Sequence, residues 1–301
     1  MDSIIRAVNP EPSSRDLNPS PQKAPVNSFQ FRFGSAAYDL SVRTHVMGIL
    51  NVTPDSFSDG GKFASTKSAV DRALQMIDEG ADFIDVGGES TRPGSESIPL
   101  AEEIRRTIPV IEAIVRMSAV PISIDSYKSS VARAALEAGA TIVNDISGLT
   151  FDVKMADTIS SHRAAAVLMH MQGRPKSMQQ NPVYENVTRE VKDFLTKQVA
   201  AARLAGIEQI IIDPGIGFGK TLEHNIQLFR ELRELASLRC PVLVGASRKS
   251  FIGAILNVPV DERLEGTAAA VAVSILNGAH IIRVHDVKAM RRVAAVTDAL
   301  K

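Results

Sequence analysis

The sequence predicts an α/β fold, a (β/α)8 TIM barrel with an N-terminal β-hairpin and a disordered N-terminal tail, and three observations predict it. Short apolar runs recur eight times between residues 46 and 284. Such runs suit parallel strands, which are covered on both faces and have no polar side to show. Amphipathic stretches separate the runs and close on glycine, at Gly80-Ala81, Gly139-Ala140, Gly206 and Gly278-Ala279. Glycine takes the left-handed backbone that ends a helix, so each of these marks a helix stop. Nearly every run then passes into a polar residue at its C-terminal end. Eight β/α units in about 250 residues is the usual size of this barrel. A doubly wound open sheet shares the alternation but not the count.

The elements follow in order. Residues 1–28 hold Pro10, Pro12, Pro19, Pro21 and Pro25 among serine, asparagine and charge. Such a segment buries too little surface to order itself, so it is expected as a disordered tail. It has no apolar stretch of the kind a secretory signal needs, and Asp2, Glu11 and Asp16 argue against a transit peptide. Residues 29–301 are expected as one barrel domain. Phe29, Phe31 and Phe33 alternate with polar residues before Gly34, and Tyr38-Asp39-Leu40 follows. That pattern is a hairpin with one apolar face, placed to plug the barrel's bottom or to pack on its side. Strands are predicted at 46–50, 83–86, 121–124, 142–143, 165–169, 210–212, 242–245 and 281–284. Helices are predicted at 67–79, 101–117, 128–138, 187–205, 221–235, 265–277 and 287–300.

Composition narrows the function. The chain has 34 basic and 34 acidic residues, so no global positive field exists to hold nucleic acid, and any anion site must be local. No apolar run is long enough to cross a bilayer, and a cytoplasmic enzyme is expected. The single cysteine, Cys240, leaves no disulfide framework or cysteine-built metal centre. It reads as a buried core thiol.

Function in such a barrel sits at the C-terminal strand ends. There the sequence places Asn51, Asp125, Asn144, Asp145, His170, Asp213, the run Ser247-Arg248-Lys249-Ser250, Arg283 and His285. Asp145 and His170, each taken alone, read as satisfied strand-end residues. A whole ring of polar groups facing one mouth costs desolvation unless a ligand uses it. Asp125, Asn144 and Asp213 suit a flat heterocycle with N–H groups. Arg283, His285 and Lys249 suit phosphate or carboxylate, and the planar Arg283 guanidinium can also stack on a ring. The connections after the first two strands, 51–61 and 87–95, are rich in Gly, Ser and Pro and read as lids over the mouth. The glycines of 213–221 fit neither a P-loop nor a dinucleotide fingerprint, since Pro214 and Lys220 stand where glycine is needed. His45, His162, His224 and His280 show no metal-ligand spacing.

The motifs resemble one family. Residues 47–61 (MGILNVTPDSFSDGG) and 80–94 (GADFIDVGGESTRPG) look like the two signatures of dihydropteroate synthases. Six shorter motifs, at 123–126, 144–148, 169–173, 213–220, 247–250 and 283–287, match the family in order, so the resemblance runs from about Tyr38 to the C-terminus. It implies a pterin-binding transferase of folate biosynthesis, usually a homodimer, using Mg²⁺. Such enzymes join a dihydropterin bearing a methyl diphosphate to p-aminobenzoate, and are sulfonamide targets. Carried over, Asp125, Asn144, Asp213 and Lys249 would hold the pterin, with Met169 lining its pocket and Arg283 stacking. Asn51, Arg283 and His285 would bind diphosphate, and Asn51 would touch Mg²⁺. Asp59 would help at the metal and the reacting centre. Phe57, Pro93, Phe218, Lys249 and Ser250 would form the p-aminobenzoate pocket, closed by Thr91 and Arg92. The alternatives are a pterin-binding methyltransferase domain, which has no need of either loop, and an inactive pterin-binding paralogue.

Overall fold

The computed structural model describes residues 28–53, 61–92 and 94–301, with side chains from 66 onward in the second stretch. Eight parallel strands form one sheet, in the spatial order 210–213, 165–169, 142–145, 122–125, 83–87, 45–51, 281–284 and 243–244. They are β3 (His45–Asn51), β4 (Phe83–Gly87), β5 (Ile122–Asp125), β6 (Ile142–Asp145), β7 (Ala165–Met169), β8 (Ile210–Asp213), β9 (Leu243–Val244) and β10 (Ile281–Val284). A parallel bridge from Ile212 to Val242 joins the two ends, so the sheet closes into a barrel. All eight predicted strands are present, most of them one or two residues longer at the C-terminal end and the seventh shorter.

Helices cover the outside: α1 (Gly61–Asp78), α2 (Leu100–Met117), α3 (Ser129–Glu137), α4 (Met155–Ser161), α5 (Val187–Leu204), α6 (Leu222–Arg230), α7 (Ser250–Leu256), α8 (Leu264–Leu276) and α9 (Val287–Ala299). Local chemistry starts several of them. Asn186 caps α5 by accepting from the Arg189 amide at 2.9 Å, and Thr221 with His224 forms a capping box on α6. The predicted helix stops hold: Gly80, Gly139, Gly206 and Gly278 have φ of 99°, 107°, 85° and 99°. Two helices were not foreseen, α4 and α7. Each is only 7 residues long, too short to show an apolar period. The predicted 221–235 helix breaks after Arg230 into a 3-10 turn, Leu232–Leu238.

The hairpin pairs β1 (Gln30–Phe33) with β2 (Ala36–Asp39). Its Phe31 and Phe33 join Leu40, Met47, Phe83, Ile142, Val167, Ile211, Leu243 and Ile281 in one buried cluster. Those strand residues alternate with Val46, Ile84, Val143, Leu168, Ile212, Val244 and Ile282, which pack under the helices. The first set therefore faces the barrel axis, and the hairpin plugs the bottom. Phe33 meets the edge of Phe83 at 5.2 Å. Most of the expected tail lies outside the described residues. No described helix is long and apolar enough to cross a membrane, and Cys240 is buried and unpaired, as expected.

Candidate active site

Two residues further along four of the strands, the inward positions turn polar. Asp85 follows Phe83, Asn144 follows Ile142, Asp213 follows Ile211 and Arg283 follows Ile281. Their contacts cross the barrel between strands that are not neighbours. Arg283 on β10 donates through Nε to Asp85 Oδ2 on β4 at 2.6 Å, and through Nη2 to Asp125 Oδ2 on β5 at 2.7 Å. Asn144 Nδ2 on β6 donates to Asp85 Oδ2 at 3.0 Å. Only side chains inside the barrel can meet this way. Asp85 is the central acceptor, and sequence reasoning missed it. Its one visible sign is an acid in the middle of the apolar run Phe83–Val86.

Asp85 Oδ1, Asp125 Oδ1 and Ser123 Oγ are buried with no hydrogen-bond partner among the described residues. An unpaired buried acceptor of this kind costs free energy unless a ligand donor meets it. The strand ends also leave room, since β4 closes on Gly87 and Gly245 follows β9. A Cβ at Gly87 would stand 3.6 Å from the Asp125 Cβ and 3.7 Å from Asn51 Oδ1.

Burial governs the protonation of this layer. It pushes the Asp125 and Asp213 carboxyls above their usual range, against the pull of Arg283 on the first and Lys249 on the second. It also brings the Lys249 ammonium down to about 8. Arg283 is raised, because Asp85 and Asp125 outweigh its own burial. His285 falls to about 4 through burial and the nearby Arg283, so it is neutral at pH 7. Its Nδ1 lies 3.0 Å from the Ser247 hydroxyl.

Lys249 owes its place to a turn. Arg248 has φ 57°, a left-handed conformation unusual for a bulky residue. A two-pronged ion pair with Asp286, at 2.9 and 2.6 Å, holds it there. Lys249 then donates to the Ile216 carbonyl, and its Nζ stands 4.6 Å from the centre of the Phe218 ring. The loop that carries Ile216 and Phe218 has its own anchor, also missed from sequence. The buried Lys220 ammonium donates to the carbonyls of Gly215 at 2.9 Å and Phe218 at 3.0 Å. Its third contact is His170 Nδ1 at 3.0 Å. The His170 carbonyl lies further off, at 3.4 Å, and His170 is held neutral by burial and by Lys220 itself, so its Nδ1 can accept.

The structure thus gathers Asp125, Asn144, Asp213, Lys249, Arg283 and His285, with Met169 buried at the end of β7 and Phe218 at the rim. Asn51 is half-buried at the end of β3, paired with Gly87. Thr91 is half-buried, Arg92 exposed, and Ser250 exposed at the start of α7. Arg92 is near enough to lower the His285 pKa. Phe57, Asp59 and Pro93 lie outside the described residues. Asp145 and His170 have structural partners: Asp145 accepts from the Ser147 and Leu149 amides at 2.8 and 2.9 Å. Two other histidines serve structure too, His224 in the α6 cap and His280 accepting from the Val242 amide at 3.1 Å.

Comparison with known proteins agrees with this geometry. The model of the pterin binding enzyme family matches residues 47–285. A dihydropteroate synthase of Synechocystis is 51% identical over 270 residues, covering 89% of this chain and 93% of the relative. The crystal structure of the Yersinia pestis dihydropteroate synthase with a sulfonamide drug superposes with a TM-score of 0.85 at 41% identity, covering 90% of this chain and 98% of that one. The Xanthomonas albilineans dihydropteroate synthase with 4-aminobenzoic acid gives 0.85 at 42% identity, covering 91% and 98%. The chain belongs to the dihydropteroate synthase family of pterin-binding enzymes, transferases of folate biosynthesis.

Proposed function

We propose that the chain displaces diphosphate from (7,8-dihydropterin-6-yl)methyl diphosphate with the amine of p-aminobenzoate, giving 7,8-dihydropteroate. The observation that carries the reading is the pair of buried carboxylates, Asp85 and Asp125, each with one oxygen unpartnered among the described residues, beside Asn144 and Asp213. The pyrimidinone edge of a pterin presents N–H and amino donors next to ring acceptors. Carboxylates meet the donors, and the Asn144 amide and Lys249 ammonium meet the acceptors. Met169 lines the ring pocket. Arg283 stacks on the ring, and its Nη1, which has no hydrogen bond among the described residues, is available to a phosphate oxygen. His285, neutral and held by Ser247, adds an N–H rather than a charge.

The reaction follows from that arrangement. The departing diphosphate leaves positive charge on a methylene that the electron-rich pterin delocalises. Buried carboxylates aimed at that charge stabilise it with no reorganisation, so a dissociative substitution suits the site. The donors toward Mg²⁺ are oxygens, Asn51 above all. Among the described residues no group of three or more His, Cys, Asp or Glu is arranged to hold a metal. That donor set fits an ion that arrives with diphosphate, since Mg²⁺ keeps water and phosphate oxygens and needs only one or two protein ligands. When bound, Mg²⁺ would neutralise charge on the leaving group, with Asn51 and Asp59 the residues to hold it. Phe57, Thr91, Arg92, Pro93, Phe218, Lys249 and Ser250 would then take the arylamine.

The reading includes a homodimer. The outward face of α8 carries Ala269, Val273 and Leu276, with Val273 and Leu276 each 42% exposed, where a free surface helix would carry charge. Ile255 and Leu256 of α7 extend the apolar surface. It also includes a cytoplasmic location, in keeping with a single unpaired cysteine.

The test is diphosphate release with both substrates and Mg²⁺. Release that requires the arylamine, and is inhibited by sulfonamides in competition with it, is the expected result. No release, or release without arylamine, would contradict the reading. A methyltransferase domain or an inactive paralogue would release none.

A further inference from the structure

A second buried ionic cluster lies outside the pterin layer and has no part in the reaction as derived. Glu89 stands two residues past β4, Glu103 is on α2, and Tyr127 and Lys128 lie between β5 and α3. Lys128 Nζ donates to Glu89 Oε2 at 2.6 Å, to Glu103 Oε2 at 2.7 Å and to the Ile98 carbonyl at 2.8 Å. The Ile98 amide donates to Glu89 Oε2 at 3.0 Å, and the Tyr127 hydroxyl donates to Glu89 Oε1. The Glu89 and Glu103 side chains are only 5% and 1% exposed. Apolar packing would hold these elements at least as firmly as two buried carboxylates around one ammonium. Stability alone does not account for the cluster.

Its geometry does. Glu89 and Ile98 are the two ends of the segment that carries Thr91 and Arg92, and the cluster joins both ends at one point. Arg106 Nη1 adds a bond to the Gly88 carbonyl at 2.9 Å. A Cβ at Gly88 would come within 2.7 Å of Thr107 Cγ2, so α2 packs directly against the backbone there. On the other side Lys128 is three residues past Asp125, and Glu103 is near enough to add to the upward push on the Asp125 carboxyl. The segment and the pterin-facing strand end are therefore fixed to one another.

We propose that Glu89, Glu103 and Lys128 are positioning residues that set Thr91 and Arg92 over the arylamine site and so govern recognition of the second substrate. The inference rests on the assignment of that segment to p-aminobenzoate. Steady-state kinetics of the full chain test it, with each substrate varied in turn. Lys128→Met is expected to raise the KM for p-aminobenzoate about tenfold, the scale on which a misplaced binding group acts. The KM for the pterin diphosphate should stay within about twofold, since no pterin contact is removed. Lys128→Arg should restore most of the loss. Glu89→Gln keeps the shape, removes the charge, and leaves one acceptor oxygen for either the Ile98 amide or the Tyr127 hydroxyl in place of two. It is expected to shift the same KM in the same direction, and it decides the matter if Lys128→Met does not fold. Equal rises in both KM values, or an unchanged KM for p-aminobenzoate in a folded variant, would overturn the proposal. Wild-type turnover separates the two ideas: absent diphosphate release sinks the functional reading, whereas normal release with unaltered variants sinks only the cluster.

Discussion

The barrel interior consists of two regions stacked along one axis and built by the same strands. The lower region is Met47, Phe83, Ile142, Val167, Ile211, Leu243 and Ile281, closed from below by Phe31 and Phe33. The upper region is Asp85, Asp125, Asn144, Asp213 and Arg283, nearly as deeply buried. Phe83 and Asp85 are two residues apart, as are Ile142 and Asn144, Ile211 and Asp213, and Ile281 and Arg283. Below, burial is favourable and needs no partner. Above, burial is costly, and under the proposed function a bound ligand offsets that cost by completing their bonding. On these four strands frame and chemistry are thus separated along one strand rather than assigned to different elements.

Substitutions in the two regions should accordingly break different properties. The largest effect is expected from Asp125→Asn. Turnover should fall by about 10²–10³ or more, the scale for losing one preorganised electrostatic group, while the protein stays folded. Stability should move the other way. Burial raises the Asp125 pKa, so the folded chain holds that proton more tightly than the unfolded chain. The charged form then costs stability, increasingly so as pH rises above the ordinary carboxylate range. Thermal melts of variant and wild type across that range should show the variant gaining on the wild type as pH rises. Near wild-type turnover would remove Asp125 from the mechanism.

Phe83→Ala should do the reverse. Phe83 is fully buried against Phe33 and Tyr38. Its truncation is expected to cost about 3–5 kcal/mol in denaturant unfolding, with kcat of the folded fraction nearly unchanged. A large loss of kcat at full folding would show that the two regions are not separable.

A smaller effect sharpens the comparison from the upper side. Burial lowers Lys249 from 10.5 to about 8. Its ammonium is lost as pH passes 8, so kcat/KM for the pterin substrate should fall there, about tenfold per pH unit once deprotonation dominates. The unfolded chain keeps that proton up to about its ordinary pKa of 10.5. Between the two values the unfolded state binds more protons, so this group's contribution to stability rises with pH. Activity and the wild-type advantage in melting temperature over Lys249→Met should therefore diverge above pH 8. A kcat/KM that is flat to pH 10 would place the Lys249 charge outside catalysis.

The strands and the polar residues that end them were legible because both are local: an apolar run has a period, and the residue after it has a name. Facing is not local. Asp85 sits between Ile84 and Val86, and only closure of the barrel shows that those two face helices while Asp85 faces Arg283, 198 residues away in sequence. The Lys220 anchor and the Glu89–Lys128 cluster were hidden for the same reason. Lys220 is 50 residues from His170 and Lys128 is 39 from Glu89, and no short-range pattern joins either pair. The short helices α4 and α7 escaped because one or two turns carry too little periodicity to read.

The central claim is that the upper region binds the pterin and the lower region only supports it. Calorimetric titration with 6-hydroxymethylpterin, which lacks the leaving group, tests that most directly on wild type, Asp213→Asn and Phe83→Ala at a temperature where all three are folded. The account predicts one site per chain in the wild type and in Phe83→Ala, with similar affinity. In Asp213→Asn it predicts binding weaker by about 10–100-fold, the worth of one charged hydrogen-bonding partner. Unchanged affinity in Asp213→Asn, or binding lost in folded Phe83→Ala, would contradict it.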